Sequence, residues 1–137
     1  MEDCLFCRIV AGSVPSHKIY EGEHTFAFLD IRPVNIGHTL VVPKRHSEDI
    51  FSIEAADWRA VNEVVRKLAP KVKEATGADG INIIMNNKKQ AGQLIDHAHV
   101  HIVPRFAGDG FKGFPQHEET PQALSVMRGK ITRLIAE

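Results

Sequence analysis

The sequence predicts a single α+β domain over residues 1–137, a mostly antiparallel five-stranded sheet with a long central helix and a C-terminal helix. Three observations predict it. Short β-prone runs come in groups with helical stretches inserted between them, the order expected of antiparallel α+β folds. Apolar residues recur at helical spacing over Glu54–Ala75 and Thr120–Ala136. The stretch Asp96–Arg105 instead alternates with a period of two, the pattern of a half-buried strand. No internal repeat, low-complexity tract or linker divides the chain.

Composition narrows the function classes. A chain of 137 residues with 43% hydrophobic and 25% charged side chains can bury a core without covalent staples. The 17 basic and 17 acidic residues balance, which argues against a protein that coats nucleic acid or binds membrane surfaces. No run reaches the ~18 apolar residues of a membrane span. The acidic N-terminus, Met1-Glu2-Asp3, lacks the basic and apolar regions of a secretory leader. A cytoplasmic, reducing setting with no membrane or nucleic-acid partner is the expectation.

Taken in order, Cys4–Val10 is a short apolar segment, ended by the turn Ala11-Gly12-Ser13-Val14-Pro15. His17–Tyr20 and Thr25–Leu29 read as two strands of a hairpin around Glu21-Gly22-Glu23. Asp30–Gly37 is a loop, because Pro33 and Gly37 interrupt both periodicities, and loops at strand ends commonly carry binding groups. His38–Val42 is a third strand stopped by Pro43, and Lys44 and Arg45 read as solvated surface charges. Trp58, Val61, Val64, Val65, Leu68 and Val72 form the apolar stripe of the long helix. Ser52 or the Asp57 turn starts that helix and Gly77 ends it, while Pro70 predicts a kink or two consecutive helices. Ile81–Met85 is a short strand and 86–96 a polar loop, after which the histidine strand pairs with Ile81–Met85. The glycine-rich stretch 106–115 reads as a surface loop able to fold over a site. Thr120 caps the last helix, with Leu124, Met127, Ile131 and Leu134 as its apolar side.

The chemistry concentrates in His97, His99 and His101. As an extended strand this segment puts the three imidazoles on one face and Ala98, Val100 and Ile102 on the other. At ~3.3 Å per residue the outer rings stand about 13 Å apart, so two can share a metal ion but three cannot without strain. The alternative is phosphoryl chemistry, in which one ring nitrogen attacks phosphorus while the other donates its proton to a backbone carbonyl. Flanking imidazoles, with His38 from another strand and Gly92 and Gln93 from the preceding loop, then stabilise the phosphate oxygens. Cys4 and Cys7 have the spacing of half a zinc site, of a redox pair, or of two inert buried thiols.

The run His97-x-His99-x-His101 followed by Ile102-Val103-Pro104-Arg105 resembles the signature of the histidine triad (HIT) family of nucleotide hydrolases and transferases. Cys4-Leu5-Phe6-Cys7-Arg8-Ile9, Ala27–Ile31, Gly37–Lys44 and Ala91-Gly92-Gln93 resemble the family in order and spacing, so the similarity covers nearly the whole chain. The resemblance implies that His99 is the nucleophile taking a nucleoside monophosphate from the α-phosphate of the substrate. It implies phosphate contacts from His101, His38, the Gly92 amide and Gln93, and a polar contact from Asn86. Asp30 matches the carboxylate that holds the ribose hydroxyls, and Leu5, Phe6, Ile9, Phe28 and Ile31 fall where the family lines its base slot. Many microbial members resembling this chain bind a structural zinc ion, through positions that match Cys4, Cys7, His46 and His97.

The chain also departs from the well-studied phosphoramidase branch. Leu94 stands where that branch has a hydroxyl residue, Asp96 differs, and the tail lacks a tryptophan. Having histidine and not glutamine at position 101 favours the hydrolase branches. The resemblance therefore implies hydrolysis of nucleoside 5′-phosphoramidates or related conjugates, with a purine nucleotide as substrate and a homodimer whose sheets join side by side. Dinucleoside polyphosphate hydrolysis and a nucleotide-binding scaffold with incidental hydrolysis are the competing expectations.

Overall fold

One antiparallel sheet with an apolar cluster on each face accounts for the arrangement of residues 3–137, which the computed structural model describes. Met1 and Glu2 of the acidic N-terminus lie outside the described residues. The elements are α1 (Leu5–Ala11), β1 (Lys18–Glu21), β2 (Thr25–Leu29), β3 (Thr39–Pro43), α2 (Ala55–Thr76), β4 (Gly80–Ile84), β5 (Val100–Arg105) and α3 (Pro121–Ile135). The sheet order is β1-β2-β3-β5-β4, and every neighbouring pair is antiparallel.

Alternation along the strands sorts the side chains. Ala27, Val41, Val100 and Ile102 pack against Val61, Val64, Val65, Leu68 and Val72 of α2. Phe26, Phe28, Leu40 and Val42 point the other way and pack with Phe6 and Ile9 of α1. Burying each such side chain is worth about 1.5–3 kcal/mol, so both helices are fixed by their apolar stripes. Directly opposite residues of an antiparallel pair share a face, and His101 lies opposite Leu40. The α1 face is therefore the one that carries the histidine chemistry.

Four details differ from the sequence reading. Cys4–Val10 contributes a helix, with Cys4 as its N-cap and Gly12 in the left-handed region (φ 84°) as its C-cap. The long helix runs unbroken through Pro70. Pro70 sits on its exposed side, where water can satisfy the carbonyl that loses its partner. Neither Ser52 nor Asp57 caps it: Glu54 is the N-cap position, without a side-chain bond. Pro43 ends β3 from inside the strand, beyond Thr39–Val41, the part that pairs with β5. The hairpin, the β4–β5 pairing, the Thr120 cap and the Gly77 end of α2 follow the expectation.

The largest difference concerns the histidines. Regular strand begins only at Val100, so of His97, His99 and His101 only the last is in β5. The Ala98 N–H donates to Ser47 O at 2.7 Å, which draws this stretch toward the loop after β3 and out of the ladder. The loop 106–111 bonds to the end of β5 and to loop 30–37, where the sequence reading made it a cover for a site. Lys44 and Arg45 pair with Glu21 and Asp57. The apolar side of α3 is exposed, and α3 buries no residue.

Candidate active site and metal centre

Fixed backbone donors and acceptors determine where each imidazole carries its proton. The Val34 N–H donates to His38 Nδ1 at 3.1 Å, so the proton of neutral His38 is on Nε2. That Nε2–H donates to His101 Nδ1 at 2.9 Å, which places the His101 proton on its own Nε2. His101 Nε2 is buried and has no hydrogen-bond partner among the described residues. An orphaned buried donor costs about 1–3 kcal/mol unless a ligand satisfies it. His99 is set the opposite way: its Nδ1–H donates to His97 O at 2.7 Å, which leaves a free lone pair on Nε2.

The His99 and His101 ring centroids lie 4.9 Å apart, and the Phe6 ring stands edge-on to His99 at 5.1 Å. Burial pulls the pKa of His99 below its ordinary value despite the carbonyl bond and the charge of Asp30. Burial pushes His101 down to about 4 and also lowers His38, although Asp30 Oδ2 lies 3.7 Å from His38 Nε2. At neutral pH the cluster is a nucleophilic nitrogen beside an unsatisfied N–H donor. That is the pairing needed to attack phosphorus and hold the oxygens around it.

His97 belongs to a second constellation. Its Nε2–H donates to Pro43 O at 2.8 Å, which turns Nδ1 toward the two thiols. Cys4 Sγ and Cys7 Sγ lie 3.4 and 3.5 Å from His97 Nδ1, and Cys7 Sγ lies 3.4 Å from His46 Nδ1. All four ligand atoms fall within 4.8 Å of one another. A tetrahedral ion with Zn–S about 2.3 Å and Zn–N about 2.0 Å separates sulfur from nitrogen by roughly 3.5 Å, so the set fits. Burial, reinforced by Cys4, pushes the Cys7 thiol up to about 11. A redox pair needs the reverse, whereas a bound cation would deprotonate both thiols.

The other predicted residues occupy varied positions. Phe6, Ile9 and Phe28 are buried with Leu5 against them, so they form core, and Phe6 also stands against His99. Asp30 is half-buried and its Oδ1 accepts from Arg32 N–H at 2.9 Å, while Ile31 is 81% exposed. Asn86 lies beside Gly92. The Gly92 N–H already donates to Lys89 O at 3.0 Å. The Gln93 side chain is spent on the loop itself: it accepts from Lys88 N–H and donates to Glu48 O and Ile95 O. Sequence reasoning missed the Val34 amide and the His97 and Pro43 carbonyls. No side-chain pattern marks them, because every residue carries a carbonyl and nearly every one an amide.

Comparison with known proteins gives a consistent picture. The HIT domain family model matches residues 11–108. The chain is 44% identical over 111 residues to the protein hit of Bacillus subtilis, covering 80% of this chain and 77% of the relative. It is 35% identical to the adenosine 5′-monophosphoramidase HNT1 of Candida albicans, covering 74% of this chain and 70% of the relative. Among solved structures, SMU.412c of Streptococcus mutans superposes with TM-score 0.93 at 46% identity, over 98% of this chain and 87% of that one. A Zn-bound histidine triad family protein of Mycobacterium smegmatis superposes with TM-score 0.77 at 35% identity, over 98% and 97%.

Proposed function

We propose, from the premise that this chain belongs to the histidine triad (HIT) family, that it hydrolyses nucleoside 5′-phosphoramidates or related conjugates of a purine nucleotide through a nucleotidyl-His99 intermediate. The observation that carries the reading is the pair of opposed tautomers, a lone pair on His99 Nε2 next to an orphaned N–H on His101. His99 Nε2 attacks the α-phosphorus, the N–P bond to His99 forms as the P–N bond to the amine breaks, and the amine takes up a solvent proton. Water then cleaves the His–P bond and releases the nucleoside monophosphate. His101 holds a phosphoryl oxygen through its free Nε2–H, and His38, whose one N–H is given to His101 Nδ1, orients that ring. Neither supplies the proton, since each is neutral and giving up its single N–H would leave an imidazolate. Asp30 accepts from the ribose hydroxyls, and Phe6, Phe28, Leu5, Ile9 and Ile31 flank the base. Asn86, Gly92 and Gln93 shape the phosphate end.

Leu94, 91% exposed, offers no side-chain hydrogen bond to either kind of leaving group. The likeness to an adenosine 5′-monophosphoramidase is what supports amine conjugates over dinucleoside polyphosphates. A panel of adenosine 5′-phosphoramidates and diadenosine polyphosphates at equal concentration tests the choice. Phosphoramidate kcat/KM is expected to be at least ~10-fold higher, equivalent to about 1.4 kcal/mol in the transition state. A reversed ratio selects the polyphosphate reading, and tight AMP binding without turnover selects a scaffold.

The pH profile has a defined sign. Protonation of His99 removes the attacking lone pair, and burial sets its pKa below the ordinary value of about 6.5. Activity is therefore expected to fall in acid solution along a limb centred below that ordinary value. An acid limb of kcat/KM centred above pH 7 would overturn the assignment of a neutral, desolvated nucleophile.

Cys4, Cys7, His46 and His97 are proposed to hold zinc. With four protein ligands the ion has no open position, so it supplies cross-linking and no chemistry to the substrate. The edge position of β4 and the uncovered apolar side of α3 support a homodimer. Among the described residues no helix is long and apolar enough to cross a membrane.

A further inference from the structure

Loop 30–37 carries Asp30 and the Val34 amide that fixes the His38 proton, and it is anchored from outside through Asn35. The Asn35 Nδ2 group donates both hydrogens, to Pro104 O at 2.8 Å and to Asp109 Oδ2 at 3.0 Å. Asp109 is itself locked in place. Its oxygens also accept from Arg105 Nε and its terminal guanidinium nitrogen at 2.9 and 2.7 Å, and from the Phe106 and Phe111 N–H groups at 3.0 and 3.1 Å. Arg105, the last residue of β5, lies over the Phe111 ring at 4.7 Å. The Arg105 guanidinium holds the Asp109 carboxyl well below the usual carboxylate range, so the brace is charged at any working pH. On the opposite side Gly37 (φ +99°) comes so close to α2 that a Cβ would meet Thr76 Cγ2 at 2.4 Å. The loop is thus clamped between the end of β5 and the end of α2.

We propose that Asn35 and Asp109 are positioning residues for the histidine pair: by holding the Val34 N–H on His38 Nδ1 they keep the ring proton of His101 on Nε2. The consequence for rate rests on the nucleotidyl-transfer reading, whereas the placement of the protons stands on the hydrogen bonds alone. Once the brace is cut, Val34 no longer reserves His38 Nδ1, and the His38 proton is free to sit there. His38 Nε2 then becomes an acceptor facing the acceptor His101 Nδ1 at 2.9 Å. His101 relieves that clash by moving its proton to Nδ1. Its Nε2 then presents a lone pair to phosphoryl oxygens where it had presented a donor, with no proton gained or lost overall.

The test is imidazole nitrogen NMR of 15N-histidine-labelled protein, in the wild type and in Asn35→Ala and Asp109→Asn. The wild type is expected to show His38 and His101 as single Nε2–H tautomers. Both variants are expected to show mixed tautomers at the two rings, with kcat for an adenosine phosphoramidate about 10-fold lower at little-changed KM. Unchanged Nε2–H tautomers in the variants overturn the proposal, whatever the melting temperature does, since general loosening lowers Tm without moving a ring proton. The NMR readout needs no substrate, so a chain that cleaves no nucleotide would defeat the functional reading and leave this one decided separately. If Asn35→Ala does not fold, the near-isosteric Asp109→Asn decides alone.

Discussion

Replacing His99 by Ala is expected to lower kcat on a nucleoside phosphoramidate by roughly 10⁴-fold or more while leaving AMP affinity within a few-fold of wild type. The size follows from the role. Deleting a nucleophile that forms a covalent intermediate removes the reaction path itself, and such losses commonly exceed those from removing a helper. The spared affinity follows from the surroundings, because Asp30, His38 and His101 make their contacts without His99. His101→Ala should behave differently. It removes a donor aimed at the transferring group, a change worth about 10²–10³ in kcat, and it leaves attack by His99 intact. Quenched-flow trapping of a nucleotidyl-protein adduct checks the mechanism: wild type should accumulate the adduct and His99→Ala should not. Undiminished turnover in His99→Ala rejects the mechanism outright.

The sheet was legible because short β-prone runs bounded by turn residues are local signals. Thr25–Leu29, Thr39–Pro43 and Val100–Arg105 are such runs, buried along most of their length, and their antiparallel pairing needs only hairpins or one long connection. The helix α1 was not legible. Its seven residues, LFCRIVA, are too few to fix a period, and it is held by Cys4 at its N-cap and by Phe6 packing on Phe28 at 5.3 Å. The departure of His97 from the strand is also a tertiary effect: its ring is claimed by Pro43 O and by the two thiols, which lie 93 and 90 positions back in the chain. Alternation therefore picked out three imidazoles that the fold divides between two clusters. The proton positions on His38, His99 and His101 depend on Val34 N–H and His97 O, groups common to nearly all residues, and only the folded geometry selects them. Asn35 and Asp109 looked like ordinary loop residues for the same reason: Asn and Asp are frequent in turns, and only their mutual contact distinguishes them.

Removing the metal should affect both stability and rate. Purified protein is expected to carry about one zinc per chain, and Cys7→Ala to carry none. The four ligands join the start of α1, the loop after β3 and the approach to β5, regions far apart in sequence. Closing loops of that length constrains the unfolded chain by an amount comparable with a long-range disulfide, about 3–5 kcal/mol, or a Tm lower by roughly 10–20 °C without the ion. The effect on rate travels through one residue. His97 would supply a ring to the ion, while its backbone carbonyl accepts from His99 Nδ1–H at 2.7 Å and fixes that proton. When the ion is lost the His97 ring keeps its bond to Pro43 O but only weak contacts to the thiols, the carbonyl is less firmly placed, and the share of His99 with a free Nε2 lone pair falls. Metal-free protein is thus expected to be slower even where it remains folded, with zinc restoring both properties in parallel. Fully stable and fully active protein without bound metal would refute the structural-zinc reading.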